Sequence, residues 1–267
     1  MADLPVGATF GSLVHAVLEH ADLQARDLRA NLLDNVREQL VLWPVDLDPG
    51  ALVDAMEAVC TTPMGPEPDA PRLVDIAKTD RFSEMDFEMP LAGGDRPHAR
   101  PVLREMAEVL RTHLSEDDPM IDFADALAGD AYGDQTLLGY LTGSVDLTFR
   151  HDGRFYIVDY KTNWLGEPGV PLTLADYEPA RLNAAMGHSS YPLQAILYSI
   201  VLHRYLRWRL PAYDPGEHFG GVMYLYVRGM AGPATPVVDG GRCGVFTWHP
   251  PTAILDDLSK VLDGGER

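Results

Sequence analysis

Apolar residues recur at helical spacing through the first third of the chain. From Ala8 to His20 they fall at Phe10, Leu13, Val14, Val17 and Leu18, which predicts an amphipathic helix. Leu23 to Leu42 continues that period through Leu28, Leu32, Leu33, Val36 and Leu40. Asp48-Pro49 is a helix start: the Asp can cap free amides, and Pro fits the first helical position, leading into Ala51–Val59. A Pro-rich loop follows over Thr61–Pro71. Between Phe82 and Leu91 the apolar positions (Phe82, Met85, Phe87, Met89) predict an edge strand. Helical spacing returns over Pro101–Leu114, and the acidic stretch Ser115–Gly133 reads as loop with one short helical turn.

The pattern then changes to alternation. Tyr140 to Phe149 alternates, His151-Asp152-Gly153-Arg154 reads as a turn, and Phe155 to Lys161 returns. Asp-Gly between two such runs is a strong hairpin signal, placing a hairpin at about Leu138–Asn163. Trp164–Pro171 is a Gly/Pro loop, Leu172–Met186 a predicted helix, and Ser190–Arg209 a long amphipathic helix. Gly220–Arg228 reads as a buried strand, Val245–Trp248 as a short strand and Thr252–Leu262 as a closing helix. Two strands, helices and a further strand after a helical preface predict an α/β fold with helices packed on a mixed sheet. We expect one domain over 1–267: a mainly helical part (1–130), a core (131–250), and a closing helix and tail (251–267).

Composition narrows the function classes. The formal net charge is −19 over 267 residues, which argues against a free-standing nucleic-acid coat protein. A nuclease remains open, because divalent ions offset a carboxylate-rich site. The two cysteines, Cys60 and Cys243, make no metal spacing and no disulfide framework, so a reducing cytoplasm is expected. The opening Met-Ala-Asp-Leu-Pro-Val has no signal-peptide character, and no uncharged apolar run is long enough to span a bilayer. Nucleophile-elbow, phosphate-loop, dinucleotide and His-Glu-x-x-His patterns are all missing.

The hairpin carries the chemistry. Asp159 and Lys161 are two apart on one strand and share a face, and Asp146 can face them from the other. Most Asp–Lys pairs are surface pairs. Here the flanking residues are strongly apolar, and charges in such a segment need partners or a metal. Two carboxylates beside one ammonium suit metal-assisted phosphodiester cleavage. Tyr191, Gln194 and Tyr198 lie on one face of the long helix; Gln194 matters if that face borders the carboxylates. Taken alone, His15 reads as a packing or surface residue, and Glu84 as an exposed acid that could lie near the site. Arg204, Arg207 and Arg209, with His203, Tyr205 and Trp208, form a basic-aromatic cluster. It suits either the helix C-terminal dipole or a contact with phosphates or a partner's acidic surface.

Four motifs occur in order: Val14–Glu19, Gly139–Leu147, Asp159–Gly166 and Tyr191–Tyr198. Together they resemble the C-terminal nuclease domain of RecB, the helicase–nuclease subunit of RecBCD (exodeoxyribonuclease V). His203–Leu206 and His218–Leu225 extend the resemblance, which runs from about Val6 to His249. It implies a PD-(D/E)xK restriction-endonuclease-like fold and Mg²⁺-dependent DNA cleavage, with Mn²⁺ able to substitute. By position it makes His15, Asp146, Asp159 and the main-chain carbonyl of Tyr160 metal ligands. Lys161 becomes the catalytic lysine, and Gln194 and Tyr198 supporting site residues.

The resemblance further implies DNA ends, RecC-like and RecD-like subunits and the recombinase RecA as partners, in a bacterial cytoplasm. Three departures stand out. No helicase motor sequence is present, so an excised or stand-alone nuclease domain is expected. Iron–sulfur relatives use four cysteines, so no cluster is expected with two, and Thr162 stands where Ser is common. The rival reading is a protein-interaction module docking RecC and loading RecA. A Cas4-like or phage exonuclease is weaker, given the match at Gly220–Leu225.

Overall fold

The computed structural model describes residues 1–129, 132–187 and 189–265. A five-stranded sheet forms the middle layer, in the order β1 (Arg81–Leu91), β2 (Gly139–His151), β3 (Arg154–Lys161), β4 (Phe219–Tyr226) and β7 (Val245–Trp248). Only β3 and β4 run parallel; the other pairs are antiparallel, so the sheet is mixed as expected. A small ribbon of β5 (Val237–Val238) and β6 (Gly241–Arg242) lies apart from it.

On one face pack α1 (Ala8–His20), α2 (Leu28–Leu42) and α3 (Pro49–Thr61), burying Leu13, Val17, Leu52 and Met56 against Phe149, Val158 and Leu225. On the other pack α4 (Leu103–His113), α5 (Ile121–Ala128), α6 (Pro179–Gly187), α7 (Tyr191–Arg209) and α9 (Thr252–Asp263). Their core includes Val145, Ile157, Val222 and Tyr224. The one-turn α8 (Pro215–His218) leads into β4. Strand β4 is buried along its length, with Val222, Tyr224 and Tyr226 in one core and Met223 and Leu225 in the other. Burial on both faces is why its sequence is a continuous apolar run.

Local chemistry explains the element ends. Asp48 accepts from the Gly50 and Ala51 amides, capping α3 behind Pro49. At the hairpin, Asp152 and Gly153 both take positive φ (48° and 79°), as a tight two-residue turn requires.

Four expectations need correction. Helix α2 begins at Leu28, because the Asp27 carboxylate caps it through Ala30 N, and not at Leu23. The acidic stretch holds an eight-residue helix, α5, where one short turn was expected; 130 and 131 lie outside the described residues. The predicted helix over Leu172–Met186 divides into a short 3₁₀ turn (Leu174–Tyr177) and α6. Pro179 forces Glu178 into extended backbone and so breaks it. Strand β4 stops at Tyr226, and Arg228 turns inward to donate to the carbonyls of Thr162, Met1, Leu4 and Pro5. The last two residues of the predicted tail, 266 and 267, also lie outside the described residues. Among those described, no helix is long and apolar enough to cross a membrane.

Candidate active site

The sheet forks at Asp146. The β2–β3 ladder runs from His151↔Arg154 to Leu147↔Val158 and ends there, while β2 stays paired with β1 down to Gly139↔Leu91. Val145 and Leu147 are two apart, yet they belong to opposite cores, so the strand turns over between them. In place of the next ladder bond, Tyr160 N donates to Asp146 Oδ2 at 2.7 Å. Across from Asp146, between the pairs Ser83↔Leu147 and Met85↔Val145, stands Glu84, a non-glycine residue at φ 48°. Such backbone is costly and persists only where its surroundings impose it.

Acidic and imidazole groups gather at this fork. His15, projecting from α1, places Nδ1 3.3 Å from Asp146 Oδ2, and its ring meets the buried Tyr160 ring edge-on at 5.9 Å. Ser144 Oγ donates to Glu84 Oε2 at 2.9 Å. His15, Glu84 and Asp146 each offer a ligand atom, all within 4.8 Å of one another. Glu84 is the residue the sequence undervalued. Its left-handed backbone breaks strand alternation, so no periodic signal marks it, and only the β1–β2 pairing brings it opposite Asp146.

The second half of the site sits deeper. Asp159, 3% exposed, lies with Oδ2 2.5 Å from Lys161 Nζ, and that ion pair is the oxygen's one polar contact among the described residues. Lys161 Nζ donates to Gln194 Oε1 at 3.3 Å and lies 4.0 Å from the centre of the Tyr191 ring, a cation–π contact. Gln194 Oε1 also accepts from Tyr224 OH at 3.0 Å, and Gln194 Nε2 donates to Tyr198 OH at 3.1 Å. Tyr198 OH in turn donates to the Ser144 carbonyl at 2.6 Å. The aromatic-amide face of α7 therefore borders the carboxylates, the condition on which Gln194 gains meaning.

Burial and mutual charge set the electrostatics. Burial, then the neighbouring Asp146 charge, push Asp159 up to about 6, against the pull of Lys161. Burial raises Glu84 as well, opposed by its bond from Ser144 and reinforced by Asp146 and Glu19. For His15 burial works the other way, but the hydrogen bond and charge of Asp146 outweigh it and raise its pKa. Carboxyls whose ionisation is opposed and an imidazole whose protonation is favoured are what a cluster shows when excess negative charge lacks a counter-ion. Carboxylate oxygens with one imidazole and no thiolate suit a hard divalent cation, and Asp159 adds a buried carboxylate whose Oδ2 has only Lys161 as a partner among the described residues. Cys60 and Cys243 are both buried and free.

Of the basic-aromatic cluster, two members are structural. His203 is buried and bonded to Tyr213, and Arg204 donates to Ser259 and pairs with Asp263. Tyr205, Arg207, Trp208 and Arg209 are exposed.

A model of the PD-(D/E)XK nuclease superfamily matches residues 2–229 of this chain. The chain belongs to that superfamily. Its five-stranded mixed sheet flanked by helices is consistent with the superfamily fold. Among curated relatives, the RecBCD enzyme subunit RecB of Mycolicibacterium smegmatis is 51% identical over 264 residues, covering 98% of this chain and 24% of that protein. The subunit of the same name from Mycobacterium tuberculosis is 52% identical, covering 99% and 24%. That of Escherichia coli is 30% identical, covering 97% and 19%. The chain thus spans about a quarter of the length, or less, of the curated relatives it matches. The hairpin β2–β3 carries Asp146, Asp159 and Lys161, with α1 and α7 closing over them from opposite faces of the sheet.

Proposed function

We propose that this chain is the nuclease domain of a RecBCD-type helicase–nuclease and hydrolyses DNA phosphodiester bonds with Mg²⁺, Mn²⁺ substituting, during double-strand-break repair. The observation that carries this reading is the fork, where His15, Glu84 and Asp146 converge beside the Asp159–Lys161–Gln194 chain of contacts. His15, Asp146, Asp159 and the Tyr160 carbonyl would hold the cation, and Glu84 stands close enough to join them. When bound, the cation supplies Lewis-acid polarisation of the phosphoryl group.

The chain's own residues do the rest. Lys161 offers an ammonium, fixed by Asp159, Gln194 and the Tyr191 face, that can orient an attacking water or meet a phosphoryl oxygen. Gln194 and Tyr198 tie that lysine to the β2 backbone, so the nucleophile's position and the cation's position are set by one hydrogen-bonded unit. Kinship with proteins named as RecBCD subunits supports RecC-like and RecD-like subunits as partners in a bacterial cytoplasm. A role in docking RecC and loading RecA is the second reading, and the −19 charge favours a protein-binding surface.

The test is cleavage of labelled single-stranded DNA with Mg²⁺, Mn²⁺ or EDTA, wild type beside Asp159→Ala. Metal-dependent cutting that vanishes in the variant is the expected result. A folded wild type that cuts in no metal, yet binds RecA, would replace the nuclease reading with the docking one.

A further inference from the structure

Beyond the fork, α7 leaves a corner of the sheet uncovered. A groove of about 590 Å³ opens there between the β1–β2–β3 face and the second half of the helix. Its floor is Phe82, Met85, Thr148 and Phe155, and its wall includes Leu202 and Tyr205. Phe82 is 60% exposed and Tyr205 43%, and with the groove's apolar floor they form one contiguous exposed apolar patch. One turn beyond Tyr205 stands Trp208, 76% exposed, with ring centres 6.2 Å apart. The guanidinium of Arg209 lies 5.1 Å from the Trp208 ring. Of the lining arginines, Arg150 is tied to Asp80 and Arg81 donates to the Ala21 carbonyl, while Arg209 stands exposed beside Trp208 past the outer end.

The groove is continuous with the candidate active site. Its inner end includes Glu84, and Phe87 in its lining packs edge-on against Tyr198, the partner of Gln194, at 5.7 Å. Tyr198, Val201, Leu202, Tyr205, Trp208 and Arg209 follow one side of α7 outward from that point. From Tyr198 to Trp208 the helix rises about 15 Å, the span of a few nucleotides. The acidic groups Glu84 and Asp86 lie at the inner end, the middle is apolar, Tyr205 lines the outer part, and Trp208 with the guanidinium of Arg209 stands just past it. Aromatic faces accept any base, and an arginine at their edge meets a phosphate; this is how single strands are held without reading sequence.

We propose that this groove is a path for single-stranded DNA leading to the carboxylates, with bases on Phe82, Tyr205 and Trp208 and a phosphate on Arg209. The proposal rests on the nuclease reading for its direction, but the groove's occupancy can be tested without cleavage. The Asp159→Ala protein, which leaves these residues untouched, would be mixed with thymidine oligomers carrying 5-iodouracil, irradiated, and the cross-linked residues mapped by mass spectrometry. Adducts on Phe82, Tyr205 or Trp208 are expected. Tyr205→Ala combined with Trp208→Ala should weaken oligomer binding about tenfold or more. Arg209→Ala should flatten the dependence of log affinity on log salt by about 0.7. Adducts only elsewhere, or unchanged affinity and salt slope in these folded variants, would overturn the path and leave the groove to a protein partner. If cross-links form in the groove while wild type cuts no DNA, the nuclease reading fails and the DNA path stands.

Discussion

The two halves of the candidate site are built in opposite ways. At the fork, His15, Glu84 and Asp146 crowd together with no lysine or arginine paired to any of them among the described residues; burial raises the pKa of Glu84, and the bond and charge of Asp146 raise that of His15 against its burial. A few ångströms away, Lys161 is surrounded: one carboxylate, one amide and two aromatic faces hold it, and tyrosine hydroxyls hold the amide. The first half is arranged to receive a charge that the polypeptide does not supply. The second is arranged to keep a charge of its own in one place. Asp159 belongs to both, pairing Lys161 with an oxygen that has no other partner.

This contrast predicts different responses to damage. Removing Asp159, which both halves share, or Lys161 should cost most: Asp159→Ala or Lys161→Ala should lower the cleavage rate about a thousandfold or more at any metal concentration. Circular dichroism should show the fold retained, and a folded variant of near-normal rate would break the assignment. Damage to the receiving half should instead be repairable. His15→Ala or Asp146→Asn should weaken metal affinity about 10- to 100-fold, with rate partly restored by excess Mn²⁺. Rescue of Lys161→Ala by the same Mn²⁺ would erase the distinction between the halves.

Acid should act through Asp159, which both halves share, and through His15. The Asp159 pKa, raised to about 6, means that below that pH the folded protein holds a proton which a cation must displace. Metal affinity should therefore fall about tenfold between pH 6 and pH 5, as titration calorimetry would report, and His15, raised by Asp146, acts in the same direction. For stability without metal the sign is reversed. A carboxyl whose folded pKa lies above its unfolded value of 3.8 costs stability as pH rises from about 4 to 6, and Asp159→Asn should remove that slope. A flat metal affinity across pH 5–7 would count against Asp159 as a ligand. The smallest effect is expected at the lysine's outer support. Tyr224→Phe deletes one hydrogen bond to Gln194 and should slow cleavage about fivefold with metal affinity unchanged, separable by measuring kcat against metal concentration.

Local patterns made much of this legible, and long-range ones did not. The hairpin declared itself through alternation and Asp152-Gly153, and the α1, β7 and α9 spans followed from apolar spacing. Spacing two along β3 also foretold the Asp159–Lys161 contact. His15 could not be judged from its own helix: its partner Asp146 is far along the chain, and only packing of α1 on the sheet joins them. The motif resemblance supplied that pairing before the packing did. Glu84 was legible only as an acid that could lie near the site, because its positive φ abolishes the alternation by which a strand residue's face is read. The break at Pro179 was legible in principle, since the residue before proline resists helix, but apolar spacing masked it.

The central claim, that the fork is a cation site, is tested most directly by crystals of the chain soaked in Mn²⁺ and measured at the manganese absorption edge. The account predicts an anomalous peak about 2.1 Å from a carboxylate oxygen of Asp146, between His15 and Asp159, and lost in Asp146→Ala. Millimolar Mn²⁺ bound only elsewhere, with the fork empty in an otherwise unchanged fold, would contradict it.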